Sequence, residues 1–226
     1  MGKMNQELWT AVDEDLIEYL LPADDVLDGV LRECEAAGLP AIGVSACQGK
    51  LLQFLVRMLG ARRVLELGTL GGYSTIWMGR ALPADGRLIT LEVDPQHAAV
   101  AEVNIARVGL SERVDVLVGP ALETLPRLAD GELFDFVFID ADKINTGAYF
   151  DWAVKLSRPG SVIVVDNVVR KGAIIQADSD DANVQGMRRF LEQIKSDTRV
   201  DATAIQTVGT KGHDGFVIAR VVSEHS

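Results

Sequence analysis

The sequence predicts an α/β fold, a doubly wound and mostly parallel seven-stranded sheet that ends in an antiparallel hairpin and carries N-terminal helices. Three observations lead there. From Arg63 onward, short apolar runs alternate with helical segments across five strands. The first of these runs, Val64 to Leu67, breaks into Gly68, Gly71 and Gly72 and then into an apolar helical stretch, the opening of a nucleotide-binding crevice. Two alternating runs, Val200–Val208 and Phe216–Val222, close the chain around Gly209-Thr-Lys-Gly-His-Asp-Gly215, which reads as a hairpin connector.

Taken in order, Leu8, Val12, Leu16, Ile17, Leu20 and Leu21 recur at helical spacing, and Pro22 stops that helix. Asp24 or Asp25 caps a second helix that ends at Gly38. After the loop Leu39 to Gln48, a third helix carries Leu51, Leu52, Leu55, Val56 and Leu59 up to Gly60. Residues 1–60 are thus a helical addition to an α/β core over residues 61–226, within one domain. In the core, strand Val64–Leu67 leads to helix Tyr73–Leu82, and strand Leu88–Glu92 to helix Pro95–Val108, with Pro95 in its first turn and Gly109 past its end. Strand Val114–Val118 leads to a short helix, Ala121–Leu128, interrupted by Pro126. Strand Phe134–Ile139 leads to helix Thr146–Leu156, and Pro159-Gly160 turns into strand Val162–Val165. A polar loop, Arg170 to Asn183, precedes a helix with Met187, Phe190, Leu191 and Ile194.

With 22 basic and 33 acidic residues the net charge is −11, which argues against a nucleic-acid or anionic-membrane surface. No apolar run reaches the length of a membrane span, and no signal-peptide h-region is apparent. Cys34 and Cys47 are isolated and read as reduced thiols, so the expected compartment is the cytoplasm.

Ligands of a parallel sheet sit outside the carboxyl ends of its strands. A dinucleotide fingerprint needs a second glycine where Leu70 stands, and Glu66 would repel a pyrophosphate. The same carboxylate attracts a cation. S-adenosylmethionine carries a sulfonium, an ammonium group and no phosphate, and the motif resembles that of Rossmann-like methyltransferases. Glu92 ends the second strand, where an acid can accept hydrogen bonds from two ribose hydroxyls. Asp140 ends the fourth strand, and Asp166 with Asn167 ends the fifth. Two carboxylates and an amide offer only oxygen, which suits Mg²⁺, Mn²⁺ or Ca²⁺ rather than zinc. His97, His213 and His225 have no metal-ligand spacing. Lys143 lies three residues past Asp140, where a divalent cation and partial burial both disfavour its charge and fit it to accept a proton.

With Glu66-Leu-Gly68, Phe138-Ile-Asp-Ala-Asp-Lys143 and Asp166-Asn167, the chain resembles the metal-dependent catechol and caffeoyl-CoA class of O-methyltransferases. Gly119-Pro-Ala-Leu122 and His213-Asp-Gly-Phe216 resemble that family's cofactor loop and closing hairpin. The likeness spans about Val44 to Ile218. It implies that Glu66, Gly68, Thr69, Gly72 and Ser74, with backbone at Val44, hold the methionine part of S-adenosylmethionine. It places Glu92 on the ribose and Ala121 at the adenine edge. Asp140, Asp166 and Asn167 would bind the metal, Lys143 would be the general base, and Asp140 would also touch the cofactor.

Plant-type members carry an apolar-Trp step where this chain has Val169-Arg170, and Asp-Asn-Tyr where Ile144-Asn145-Thr146 stands. Both segments would face the acceptor, so a small phenolic acceptor is expected rather than a CoA ester. The loop Arg170 to Asn183 would be a mobile lid over it. A homodimer is expected, because the family usually pairs and the N-terminal helices offer extra apolar surface. Three competing readings are a tRNA hydroxyuridine methyltransferase of the same family, an NAD-linked oxidoreductase, and a non-catalytic S-adenosylmethionine-binding protein. The net charge opposes the first, Leu70 and Glu66 the second, and the Asp140, Lys143, Asp166 and Asn167 set the third.

Overall fold

A computed structural model describes residues 2–222, with side chains from residue 5 onward; His225 and the rest of the C-terminal tail lie outside the described residues. Three helices open the chain, α1 (Gly2–Leu20), α2 (Asp25–Ala36) and α3 (Ala46–Leu59). Asp24 caps α2 by accepting from the Leu27 amide, and Ser45 caps α3 by accepting from Gln48. Gly60 closes α3 in the left-handed conformation.

The core then alternates: β1 (Arg63–Leu67), α4 (Tyr73–Gly79), β2 (Arg87–Glu92), α5 (Pro95–Arg107), β3 (Val114–Val118), α6 (Ala121–Thr124), β4 (Phe134–Ile139), α7 (Thr146–Lys155), β5 (Ser157–Asp166), α8 (Ala182–Lys195), β6 (Val200–Gly209) and β7 (Gly212–Val221). The sheet order is β3-β2-β1-β4-β5-β7-β6, with β1 to β5 parallel and β7 antiparallel to both β5 and β6. This is the predicted doubly wound, Rossmann-like sheet with its terminal hairpin.

Side-chain alternation explains the two layers. Val64, Leu88, Phe136, Phe138 and Val164 point to one face, where α2 to α5 cover them. Leu65, Leu67, Val137, Ile139, Ile163 and Val165 point to the other, beneath α7 and α8. Glu66 falls on the first face, under α4. Through Leu27, Val30, Leu52 and Val56, α2 and α3 form part of that layer.

Three local expectations need correction. Pro159 and Gly160 lie inside β5, which begins at Ser157; the strand bulges there opposite Phe134 to Phe136. Ser161 staples the bulge, since its Oγ accepts from the Arg158 amide and donates to the Phe134 carbonyl. The hairpin connector is far shorter than Gly209 to Gly215, because pairing continues to Gly209 opposite Gly212 and leaves only Thr210 and Lys211 in the turn. Finally, the segment from Arg170 is not irregular throughout: a kinked 3₁₀ segment spans Arg170–Ile175. Arg188 Nη1 donates to the Ile174 carbonyl at 2.6 Å, and Gln185 Nε2 donates to the Ala177 and Ser179 carbonyls, tying this segment to α8. Among the described residues, no helix is long and apolar enough to cross a membrane.

Candidate active site

The carboxyl ends of β1, β2, β4 and β5 meet at one edge of the sheet. The glycine turn after β1 sets the geometry. Gly68 has φ +95°, and a Cβ there would overlap the Asp140 carbonyl, so only glycine lets the β1 end lie flush against the β4 end. Gly68 N donates to Leu91 O, and Asp140 N to Leu67 O, which locks the three strand ends together. Gly72, φ +84°, starts α4 against Ala101. Asn104 Nδ2 holds the turn from behind through the Gly71 carbonyl at 2.9 Å.

Beneath the turn lies a buried polar network. Glu66 is fully buried, and its carboxylate accepts from Ser74 Oγ at 2.6 Å, from Thr90 Oγ1 at 2.7 Å and from Thr75 Oγ1. Thr69 Oγ1 shares a 2.6 Å hydrogen bond with Thr90 Oγ1 and extends the chain to the turn. Burial pushes the Glu66 carboxyl up to about 7; the three hydroxyls oppose that rise and the Asp140 charge adds to it. Glu92 organises the upper side of the turn, accepting from the Thr69 and Leu70 amides at 3.2 and 2.8 Å and from Asp94 N at 3.0 Å. Leu70 itself has φ +49°.

The second cluster lies on β4 and β5. Lys143 Nζ donates to Asp140 Oδ1 at 2.8 Å, and the lysine is 8% exposed. Its loop is pinned from two sides: Thr146 Oγ1 donates to the Lys143 carbonyl, and α8 approaches so closely at Gly186 that a Cβ would overlap the Lys143 carbonyl. Asp166 is 4% exposed. Burial and the neighbouring Asp140 charge raise its carboxyl to about 7, against the pull of Lys143, the Asn167 amide and Gln48. Asn167 has φ +60°, and its amide donates to Asp166 Oδ1 at 2.8 Å.

Most of the residues singled out from the sequence therefore converge. Glu66, Thr69 and Ser74 share one network, Glu92 grips the same turn, and Gly68 abuts Asp140. Asp140, Lys143 and Asp166 interact on adjacent strands. Val44 is buried in the α3 layer, and its neighbour Gly43 comes within reach of Leu70 at the turn. Ala121 starts α6 beyond β3 and packs against the α7 and α8 face of the sheet.

Four participants escaped sequence reasoning. Thr75 and Thr90 are ordinary-looking helix and strand residues, and Gln48 is one polar residue on an amphipathic helix. Asp214 is the fourth: its Oδ1 accepts from the amides of Val169, Arg170 and Gly215, fixing the segment after Asn167. Its signals were its place in a glycine-rich hairpin and in the His213-Asp-Gly-Phe216 motif, neither of which gave it this role.

The donor set fits a divalent cation by its chemistry. Burial and the neighbouring Asp140 charge raise the cost of ionising Asp166, and a cation beside it would lower that cost. Asp140, Asp166 and the Asn167 amide supply oxygen alone. None of these three residues carries a thiolate or an imidazole, the ligands zinc prefers.

Comparison with known proteins agrees with this geometry. The model of the O-methyltransferase family matches residues 22–221. A catechol O-methyltransferase of Mycobacterium tuberculosis is 53% identical over 98% of this chain and 100% of its own length. The solved O-methyltransferase from Bacillus cereus, in complex with SAH, superposes with a TM-score of 0.94 at 55% identity, over 96% of this chain and 99% of that one. The O-methyltransferase TomG from Streptomyces achromogenes, solved with SAM, gives a TM-score of 0.93 at 49% identity, with the same coverage of both chains. The chain belongs to the O-methyltransferase family, as an enzyme of the S-adenosylmethionine-dependent class that its motifs resemble.

Proposed function

We propose that this enzyme transfers the methyl group of S-adenosylmethionine to one hydroxyl of a small catechol-like acceptor, with Lys143 as the general base. The observation that carries the reading is the convergence of Asp140, Lys143 and Asp166 beside the Gly68 turn. Catechol O-methyltransferase is also what the Mycobacterium tuberculosis relative is called.

The glycine turn approaches the donor without side chains, and the Glu66 network places negative charge under its cationic methionine portion, with Val44, Thr69, Gly72 and Ser74 around it. Glu92 would take the ribose and Ala121 the adenine edge. Asp140, Asp166 and Asn167 would hold Mg²⁺, with Mn²⁺ or Ca²⁺ as alternatives. A divalent ion there supplies the charge that acidifies a vicinal diol and fixes its orientation. Lys143, in its neutral form, takes the proton from the hydroxyl nearer the methyl group. That oxygen then bonds to the methyl carbon as the carbon–sulfur bond breaks, leaving a neutral thioether.

The net charge of −11 favours a small phenolic acceptor over tRNA. Free Cys34 and Cys47 suit a reducing, cytoplasmic setting. A homodimer is the assembly that fits the surface: Leu8, Val12, Leu16 and Tyr19 form one exposed apolar stripe along α1, with Tyr19 78% exposed.

The test is turnover of a simple catechol with S-adenosylmethionine and Mg²⁺, in the parent and in Lys143→Met. Loss of a general base should cost about 10²- to 10⁴-fold in kcat with donor affinity retained. A Lys143→Met variant as fast as the parent would remove the lysine from the mechanism.

A further inference from the structure

The chain leaves the sheet at an irregular point beside the strand-end acids. β5 pairs with β7 as far as Asp166, opposite Phe216, and the next bond between the two segments runs from Val168 N to the Gly215 carbonyl at 3.0 Å. Asn167 falls between them with φ +60°, so it is bulged out of the ladder, a device that re-aims a side chain next to a site. Arg170 and Lys171 follow with φ of +54° and +56°. Non-glycine residues persist in this region only where their surroundings enforce it.

The enforcing group is Asp214. Its Oδ1 accepts from the Val169 amide at 3.0 Å, from Arg170 at 3.1 Å and from Gly215 at 3.0 Å. Gly215 lets the hairpin close on the segment, because a Cβ there would overlap the Ile205 carbonyl and the Val169 side chain. The hairpin is itself anchored by α1. Gln6 Nε2 donates to the Gly209 carbonyl at 3.0 Å, and Asp13 Oδ2 accepts from the Thr210 amide at 2.7 Å. Asp214 therefore acts from a fixed base.

The three oxygen donors of the strand-end site are not held alike. Asp140 N donates to Leu67 O, and its carboxylate meets Lys143 Nζ at 2.8 Å. Asp166 is the last residue of a paired strand and is buried. Asn167 has left the ladder, and its backbone is fixed on the far side by the Val168 bond to Gly215 and by the two amides on Asp214. Without an acceptor at position 214 those two amides lose their partner, and the left-handed run that follows Asn167 loses what enforces it.

We propose that Asp214 is a positioning residue for the divalent ion. By holding the Val169–Arg170 backbone it fixes where the Asn167 amide oxygen stands, and so sets the affinity of the Asp140, Asp166 and Asn167 site. The inference rests on the metal-binding reading above and adds an outer residue which that reading does not include. Outer groups that orient ligands typically account for about 10- to 100-fold in metal affinity.

The experiment measures Mn²⁺ binding to the full chain, through the electron paramagnetic resonance signal of the free ion, with S-adenosylhomocysteine saturating. It compares the parent, Asp214→Ala and Asp214→Asn. Alanine removes the acceptor, whereas asparagine removes the charge and keeps an oxygen in the same place. Asp214→Ala should bind Mn²⁺ about 10- to 100-fold more weakly, and Asp214→Asn should stay close to the parent. S-adenosylhomocysteine affinity, measured by calorimetry without metal, should match the parent in both. Parental Mn²⁺ affinity in Asp214→Ala overturns the proposal. Equal weakening in both variants also overturns it, because the charge rather than the held backbone would then matter. So does loss of S-adenosylhomocysteine binding in Asp214→Ala, by assigning Asp214 to the fold as a whole. If the parent binds no Mn²⁺, the metal reading itself has failed, and that is seen before any variant is made.

Discussion

Titrating the methyl donor into this protein at pH 6 should release close to one proton, with Glu66 as its source. Glu66 has no solvent exposure, and its carboxyl titrates near 7 because burial outweighs the three hydroxyls that donate to it. At pH 6 such a group is about 90% protonated, and at pH 8 about 10%. A sulfonium and an ammonium group bound above it favour the carboxylate and expel that proton. If binding returns the group to its ordinary value of 4.5, the shift is worth about 3 kcal/mol. Donor affinity should then rise by about tenfold per pH unit up to 7 and level off above it. Calorimetry in two buffers of different ionisation enthalpy, at saturating Mg²⁺, counts the protons. Glu66→Gln serves as the blank for the donor's own amine, and it should bind more weakly by about 1.5–3 kcal/mol at pH 8, the range for a charge-assisted hydrogen bond. The sign for stability is the opposite. The folded state holds the extra proton between 4.5 and 7, so this group's contribution is fully present below 4.5 and is lost as pH rises through 7. Equal proton release by parent and Glu66→Gln would refute the reasoning.

Two further outcomes follow from the same geometry. Gly68→Ala should destabilise the protein by several kcal/mol in urea unfolding and abolish donor binding, because its φ of +95° and the Asp140 carbonyl both exclude a Cβ; a variant of parental stability would mean that the strand ends do not need that approach. Light scattering should give about twice the 24.4 kDa chain mass at micromolar concentration, and Leu8→Glu with Tyr19→Glu should halve it, whereas a monomeric parent would leave the α1 stripe without its partner copy.

The legible parts of the site were those where chemistry and backbone interrupt a pattern together. Gly68 and Gly72 stood out because positive φ at a strand end demands glycine. Asp140 and Asp166 stood out because a charge ends an apolar run that must stop where the sheet meets solvent. The hidden parts break no pattern. Thr90 is a good strand former, so its hydroxyl under Glu66 looks like β-propensity. Gly186 sits in a helix whose apolar face is otherwise regular, and its contact with Lys143 depends on how α8 docks. The start of β5 is placed too late from the sequence because Pro159-Gly160 reads locally as a turn, while Ser161 and its bond to Phe134 make it part of the strand. The N-terminal helices were located correctly, but the burial of α2 and α3 into the first layer is a tertiary fact that periodicity does not carry.

The most direct test of the account is methyl transfer from labelled S-adenosylmethionine to a catechol, measured before and after treatment with EDTA and in Asp166→Ala. If Asp140, Asp166 and Asn167 hold a divalent ion, EDTA should lower the rate by orders of magnitude, since hydroxyl activation and positioning together are worth several kcal/mol. Mg²⁺ or Mn²⁺ should restore it and zinc should not be the preferred ion, while Asp166→Ala should stay inactive with Mg²⁺ yet still bind the donor. Full-rate methylation in EDTA, or an Asp166→Ala variant as fast as the parent, would contradict the account and leave the two strand-end acids as local caps.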